Sequence, residues 1–370
     1  SKTDLNGVKT IYTFDALGRG QSIDFAKDTV KNIDWEDILY TWGEDASGNP
    51  TRTVKRCVLA STGTSCEGGV KLTQVETYDG LLRLTTISET DDTTTRYKNF
   101  NYNRYNQKTF SSHWGDNDSG TKGVTRIFDG LKRLESVSTS GLGTIEYDYQ
   151  SGNKIQITDA ENNITTMTYL AYGAPSYDQA ILIDSPADVT TTIDINVLGL
   201  TKSITQSGFQ KDGVTEASQT ETRLYNTYKQ LCLVKRNDVG TTLYNINALG
   251  ETNWIAEGVS DTVCTTTKPL TTAVDYTLDN IGNIKAIDYL DSNSADASYV
   301  RDKNGNLLSL TAGTVVHTYN YNNQNLLEDE SFTIGTEKTL GLVYGYTSMM
   351  HRNYVEYPDG NRVFSKPDAF

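Results

Sequence analysis

An all-β chain, one antiparallel sheet built from tandem hairpins, is what three features of the sequence predict. The first is a recurring run, Tyr-x-x-Asp-x-x-Gly followed by an aliphatic residue five positions after the glycine, best seen at Tyr276, Asp279, Gly282 and Ile287 and again at Tyr299, Asp302, Gly305 and Leu310. An Asp opening a turn accepts bonds from amides two and three residues on, and a following Gly takes the positive φ that sends the chain back as a second strand. The second is composition. Tyr occurs 23 times among 370 residues, and Thr, Asn and Gly are abundant, the residues of pleated surfaces and tight turns. The third is the scarcity of helix-forming tracts beside a hydrophobic content of 36% and a mean hydropathy of −0.50, as expected of sheets with a wet face.

Taken in order, the first hairpin is Tyr12, Asp15, Gly18, Arg19 and Ile23. Asp28 to Gly48 reads as an insertion, and the gap from Asp15 to Asp79 has room for one or two hairpins whose marks are eroded. Tyr78-Asp79-Gly80 and Phe128-Asp129-Gly130 are variants with the glycine moved forward, each continuing as Leu-x-Arg-Leu. Tyr102-Asn103, Tyr147-Asp148, Tyr225-Asn226, Tyr321-Asn322 and Tyr357-Pro358-Asp359-Gly360 are degenerate copies, and Asp159 to Asn163 is a further turn. Ile193, Asn196, Gly199 and Ile204 keep the turn without the Tyr, while Tyr244, Asn247, Gly250 and Ile255 replace Asp by Asn. Most steps between marks are 19 to 26 residues, about one hairpin and its connection. Gly173 to Pro175 breaks the pattern, Ala180 to Ile195 is expected to cross the most buried part of the sheet, and Ser207 to Glu221 reads as a loop or long hairpin tip. Residues 1–370 are expected to form a single repeat array. So many strands accumulate twist and must coil. On the coiled strip the motif tyrosines should share one face.

A net charge of −14 and a pI near 4.7 exclude a basic nucleic-acid surface and a polybasic membrane patch. No apolar run approaches a bilayer span, so no membrane insertion is expected of this segment. Cys57 and Cys66 bracket a loop that a disulfide would staple; Cys232 and Cys264 are far apart, though adjacent hairpins could join them, and no CxxC spacing points to a metal. No catalytic or cofactor motif is present, and neither a metal nor a cofactor is expected. His113-Trp114-Gly115-Asp116-Asn117-Asp118 is a poor match to a calcium loop and reads as an acidic turn. His317 reads as a strand residue. The most enzyme-like run is His351, Arg352 and Tyr354, which are also ordinary sheet residues.

The repeated Tyr-x-x-Asp-x-x-Gly-Arg/Asn at Gly18-Arg19, Gly282-Asn283 and Gly305-Asn306, with the Asp-Gly-Leu-x-Arg-Leu variants at Asp79 and Asp129, resembles the YD repeat of the Rhs family along essentially the whole chain. That family includes Rhs polymorphic toxins, C components of Tc toxin complexes, wall-associated proteins and teneurins. The resemblance implies a strip that spirals into a cocoon-like shell, secreted or at the cell surface, whose partners are further repeats and an encapsulated toxin polypeptide. The motif Tyr, Asp and Gly residues would then be scaffold. The family's Asp-Pro-x-Gly core is not found, so self-cleavage is carried over to no residue, and the chain reads as a piece of something longer. A different reading is an extracellular carbohydrate-binding or carbohydrate-degrading protein. Its glycan contacts would be Trp35, Trp42, Trp114 and Trp254, with His351, Arg352 and Tyr354 as the catalytic set.

Overall fold

The computed structural model describes residues 1–29, 35, 37–57, 61–62, 65–66, 69–91, 93–117, 120–171, 176–211, 213–291, 294–336 and 339–365. The expected break at Gly173 to Pro175, Asp118 and the last five residues lie outside them. Among the described residues there is no helix. Thirty strands among the described residues form one antiparallel sheet that does not close into a barrel, and Ser61–Thr62 pairs separately with Ser65–Cys66. Two compact units can be distinguished, Ser1–Thr125 with Tyr299–Phe370, and Arg126–Ser298.

Each unit is a meander of sequential hairpins. In the first, Lys9–Phe14 pairs with Gly20–Phe25, Ile38–Glu44 with Pro50–Cys57, and Val70–Tyr78 with Leu84–Thr90. The gap between Asp15 and Asp79 thus holds a further hairpin, as expected, turning at Asp45, Gly48 and Asn49. Its motif aromatic is Trp42 in place of Tyr, which hides it from a search for tyrosines. In the second unit the ladder runs unbroken from Leu134–Thr139 to Ala297–Arg301.

Register explains the late aliphatic residue of the motif. Tyr12 lies directly opposite Ile23, Tyr244 opposite Ile255 and Tyr276 opposite Ile287. Directly opposed residues share a face, so each ring packs beside its aliphatic partner. The other face is rich in hydroxyls. Thr192, Thr205 and Thr220 follow one another across three strands, as do Asp194, Ser203 and Thr222. Thr205 and Thr220 are joined by a 3.1 Å bond between their hydroxyls.

The turn glycines Gly18, Gly250, Gly282 and Gly305 have φ of 77°, 87°, 84° and 91°. In the two variants the positive φ falls not at Gly80 or Gly130 but at Leu82 (60°) and Lys132 (68°), three residues after the Asp as elsewhere. Those glycines are not displaced turn residues: the turn is unchanged and a bulky residue takes its left-handed position. Tyr147-Asp148 is no turn at all, since both lie within the strand Gly143–Gln150. At Tyr357 the turn bonds start from Tyr357 itself rather than Asp359.

The deepest apolar cluster is in the second unit and is not at Ala180 to Ile195, whose side chains are half-buried or exposed. Leu233, Leu243, Trp254, Ala256 and Ala273 form it, with Cys264 and Leu290 packed against it. Cys232 is bonded to Cys264 and Cys57 to Cys66.

A Val at Gly282 would combine the positive φ with a Cβ only 2.8 Å from Glu251 Oε1. Gly282→Val is expected to cost about 1–3 kcal/mol. Gly18→Val meets nothing within 4 Å, so it should cost less. Equal denaturant midpoints for the two variants would count against this account.

Candidate functional site

The most regular chemistry in the molecule is the turn itself. Asp15 Oδ1 accepts the N–H groups of Leu17 and Arg19, both at 2.9 Å, and its backbone N–H donates to the Arg19 carbonyl. The N–H of Gly18 donates back to the Asp15 carbonyl at 3.0 Å. The same set closes the turns at Asp45, Asp79, Asp129, Asp159 and Asp279. Asn does the same work at Asn103, Asn196, Asn226, Asn247 and Asn322.

At most turns the residue four after the mark adds a side-chain bond, and there its chemistry is complementary to the mark. Where the mark is Asp, the fourth residue donates to Oδ2: Arg19, Arg83 and Arg133 through Nε at 2.7 Å, Asn49 and Asn163 through Nδ2 at 2.9 Å. At Asn103, Asn226 and Asn247 the mark's Nδ2 donates instead, to Gln107, Gln230 and Glu251 at 2.9, 2.8 and 2.7 Å, whereas Asn196 and Asn322 are followed at that position by Leu200 and Leu326. This pairing was open to sequence reading and missed by it. Successive turns are also tied together. Arg83 Nη1 donates to the Asn103 carbonyl, and Gln230 Nε2 to the Asn247 carbonyl, both at 3.0 Å. Three tyrosines that immediately precede a turn reach back across the sheet: Tyr102, Tyr225 and Tyr346, before the turns at Asn103, Asn226 and Thr347, donate to the carbonyls of Leu84, Thr201 and Leu327.

These bonds hold the turn carboxylates below the ordinary aspartate range. The Arg19 amide is the main cause at Asp15, the Asn49 side chain at Asp45 and the Arg83 side chain at Asp79. A carboxylate with a depressed folded-state value contributes stability above its unfolded value, about 3.9, and loses it as pH falls through the folded value. Below pH of about 4, amide exchange should therefore open the Asp15, Asp45 and Asp79 turns before those of Asn103 and Asn226, whose marks do not titrate. Simultaneous loss of protection, after correction for intrinsic rates, would contradict this.

Two side-chain networks lie on the first unit. In one, Arg52 grips Glu76 with Nε to Oε2 at 2.9 Å and Nη2 to Oε1 at 2.6 Å, while Gln74 and Tyr78 donate to the same carboxylate. Beside it is an open groove of about 700 Å³ lined by Arg19, Trp42, Glu44, Pro50, Tyr78 and Leu82. In the other, Tyr344 donates to Glu330 Oε1 at 2.5 Å, His317 Nε2 lies 3.1 Å from Glu330 Oε2, and His317 Nδ1 meets the Tyr319 hydroxyl at 2.9 Å. Burial first, then the bond to glutamate, pushes both Tyr78 and Tyr344 up to about 12.

Of the enzyme-like run, Arg352 stands over the Tyr344 ring at 5.6 Å. Tyr354 instead packs between Arg362 and Phe364, and the His351 N–H closes the Thr347 turn. Two of the four tryptophans are not exposed. Trp35 and Trp254 are buried, Trp35 with its Nε1 donating to Asn323 and Trp254 in the apolar cluster. Trp42 and Trp114 are partly exposed, but Arg19 and Arg96 lie over them at 5.1 and 4.5 Å. Among the described residues no group of three His, Cys, Asp or Glu could hold a metal ion. No helix among them is long and apolar enough to cross a membrane.

One contact in the first unit joins residues about three hundred apart. The N–H groups of Leu5 and Asn6 donate to Asn304 Oδ1 at 2.9 and 3.2 Å, Asn6 Nδ2 to Asp302 Oδ2 at 2.8 Å, and Asn304 Nδ2 to Asp4 Oδ2 at 2.6 Å. Asn323 Nδ2 donates to the Ala26 carbonyl at 2.7 Å. The edge of the first hairpins thus rests on the turn edge of the hairpins at Asp302 and Asn322.

No protein-family model matches the chain, and no curated protein sequence does. Solved structures similar to it include the following. A chain of the TcdB2–TccC3–TEV crystal structure is 11% identical with a TM-score of 0.44, over 97% of this chain and 22% of that one. The Photorhabdus luminescens Tc holotoxin pore gives 11% identity and a TM-score of 0.46 over 96% of this chain and 22% of that one. TcdB2–TccC3–Cdc42 gives 11% and 0.45 over 97% and 22%. The chain thus spans about a fifth of the length of these solved chains.

Proposed function

We propose that the chain is a segment of an Rhs-type YD-repeat shell, a wall that encloses a toxin or effector polypeptide within a secreted or cell-surface protein. The observation that carries this reading is the contact of Asp4, Leu5 and Asn6 with Asp302 and Asn304. A hairpin strip whose start rests on a much later edge supports a spiral, with all 370 residues as one array. The turn bonds of Asp15, Gly18 and their repeats, with Tyr12 set opposite Ile23 in the ladder, support a scaffold role for the motif residues. Two disulfides fit an oxidising compartment.

Limited proteolysis of the secreted polypeptide containing this segment tests the wall. Its enclosed portion should resist cleavage until the shell is opened by denaturant. Cleavage at the rate of the isolated portion would overturn the proposal. Glycan binding by this chain that disappears in Trp42→Ala or Trp114→Ala would overturn it in favour of a carbohydrate platform.

A further inference from the structure

The only two Asn-Gly steps in the chain are Asn6-Gly7 and Asn304-Gly305, and the first unit brings them together. Both belong to Asp-x-Asn-Gly turns. Gly7 N–H closes one on the Asp4 carbonyl and Gly305 N–H closes the other on the Asp302 carbonyl, each at 3.1 Å. Across the contact the two turns exchange like bonds: Asn304 Nδ2 donates to Asp4 Oδ2 at 2.6 Å, and Asn6 Nδ2 donates to Asp302 Oδ2 at 2.8 Å. Asn304 Oδ1 also accepts the N–H groups of Leu5 and Asn6. All of these bonds between the turns use one of the two carboxamides.

We propose that Asn304 and Asn6 form a modification site, where loss of the side-chain amide opens this contact and keeps it open. Asn before Gly is especially prone to that loss, because a residue without Cβ lets its nitrogen reach the preceding carboxamide. The Gly305 nitrogen attacks Asn304 Cγ, ammonia leaves, and water opens the resulting cyclic imide to aspartate or isoaspartate. One water is consumed and one ammonia released, with no oxidant or cofactor. The new carboxylate still accepts from Leu5 and Asn6. Its other oxygen, in place of Nδ2, faces Asp4 Oδ2, acceptor against acceptor and charge against charge. The same change at Asn6 opposes Asp302. While closed, the contact protects itself: Gly305 N–H is held on Asp302, and Asn304 Nδ2 is spent on Asp4 and Asn325. Parting the turns releases the carboxamides, so opening is followed by a change that prevents reclosure.

Amide exchange and peptide mapping on the full chain test this. In Asn304→Asp, exchange at the Leu5 and Asn6 amides should quicken by about tenfold or more, the scale of one lost bond to a charged group. Adding Asp4→Asn reverses the pair, so that position 4 donates and position 304 accepts, and protection should return. Asn already serves as a turn mark at Asn103 and Asn226, so the turn itself tolerates the exchange. In mildly alkaline buffer the wild-type Asn304 should keep its amide in the native chain and lose it in urea. Unchanged exchange in Asn304→Asp overturns the proposal. So does a double variant no better protected than the single one, or equal conversion of Asn304 in native and unfolded chains. The shell reading survives each of these failures, since the two turns can meet without their asparagines being reactive.

Discussion

Gly123→Ala is expected to be the most damaging small substitution in the chain, at about 3–4 kcal/mol. Gly123 opens the strand Gly123–Phe128 and pairs directly with Ser112. A Cβ there would stand 2.3 Å from the Ser111 carbonyl oxygen and 2.6 Å from Ser112 Cα. These are backbone atoms, so no side chain can swing aside and the two strands must part. Ser112 is 2% exposed and its hydroxyl accepts the Asn99 N–H at 2.8 Å, so that bond is strained as well. Gly80→Ala is the control, because nothing lies within 4 Å of its Cβ position and its turn takes the positive φ at Leu82. Urea unfolding should show a large fall in midpoint for Gly123→Ala and almost none for Gly80→Ala. Equal midpoints would show that the strands there tolerate separation.

The contrast between Gly123 and Gly282 shows where the sequence is informative. Gly282 is legible because its role is local: an Asp three residues earlier and a strand on either side dictate its φ. Gly123 owes its role to a strand that passes a fraction of an ångström too close for a methyl, which depends on register set elsewhere. The same division runs through the other readings. Asp15, Asp79 and Asn247 could be read as turn marks because their bonds stay within five residues. Asp148 was misread because a Tyr-Asp pair alone does not make a turn; the left-handed residue three later and the complementary partner four later are also needed. With that pairing in hand, Asp45 and Asn49 are as readable as Asp302 and Asn306. The burial of Trp35 and Trp254 is not legible in the sequence, since nothing in their own neighbourhoods announces Asn323 or Leu243 as a neighbour. The Asp4 and Asn304 contact was equally hidden, because it depends on how far the strip has travelled before its edges meet.

Arg52→Met is expected to cost about 3 kcal/mol at neutral pH and less as the solution is acidified. Glu76 is 6% exposed, and Arg52 satisfies both of its oxygens. Burial works to raise the Glu76 value, yet the bonds from Arg52 and Tyr78 outweigh it and hold the carboxyl below the ordinary glutamate range. In the wild type this pair therefore contributes stability above the unfolded glutamate value, about 4.3, and loses it as pH falls through the lower folded value. Without the guanidinium, burial acts against the charge with only Gln74 and Tyr78 opposing it, and the folded value rises. A raised acid is destabilising above its unfolded value and is relieved by protonation, so the gap between variant and wild type should narrow as pH drops from 7 toward about 4. Adding Glu76→Gln to Arg52→Met removes the buried charge while keeping an acceptor for Tyr78, and should recover much of the loss at neutral pH. Melts of the wild type and the two variants across that pH range decide the matter. A gap that stays constant with pH would mean that Arg52 acts by packing against Tyr40 and Trp42, over which it stands at 6.0 and 5.9 Å, rather than by its charge.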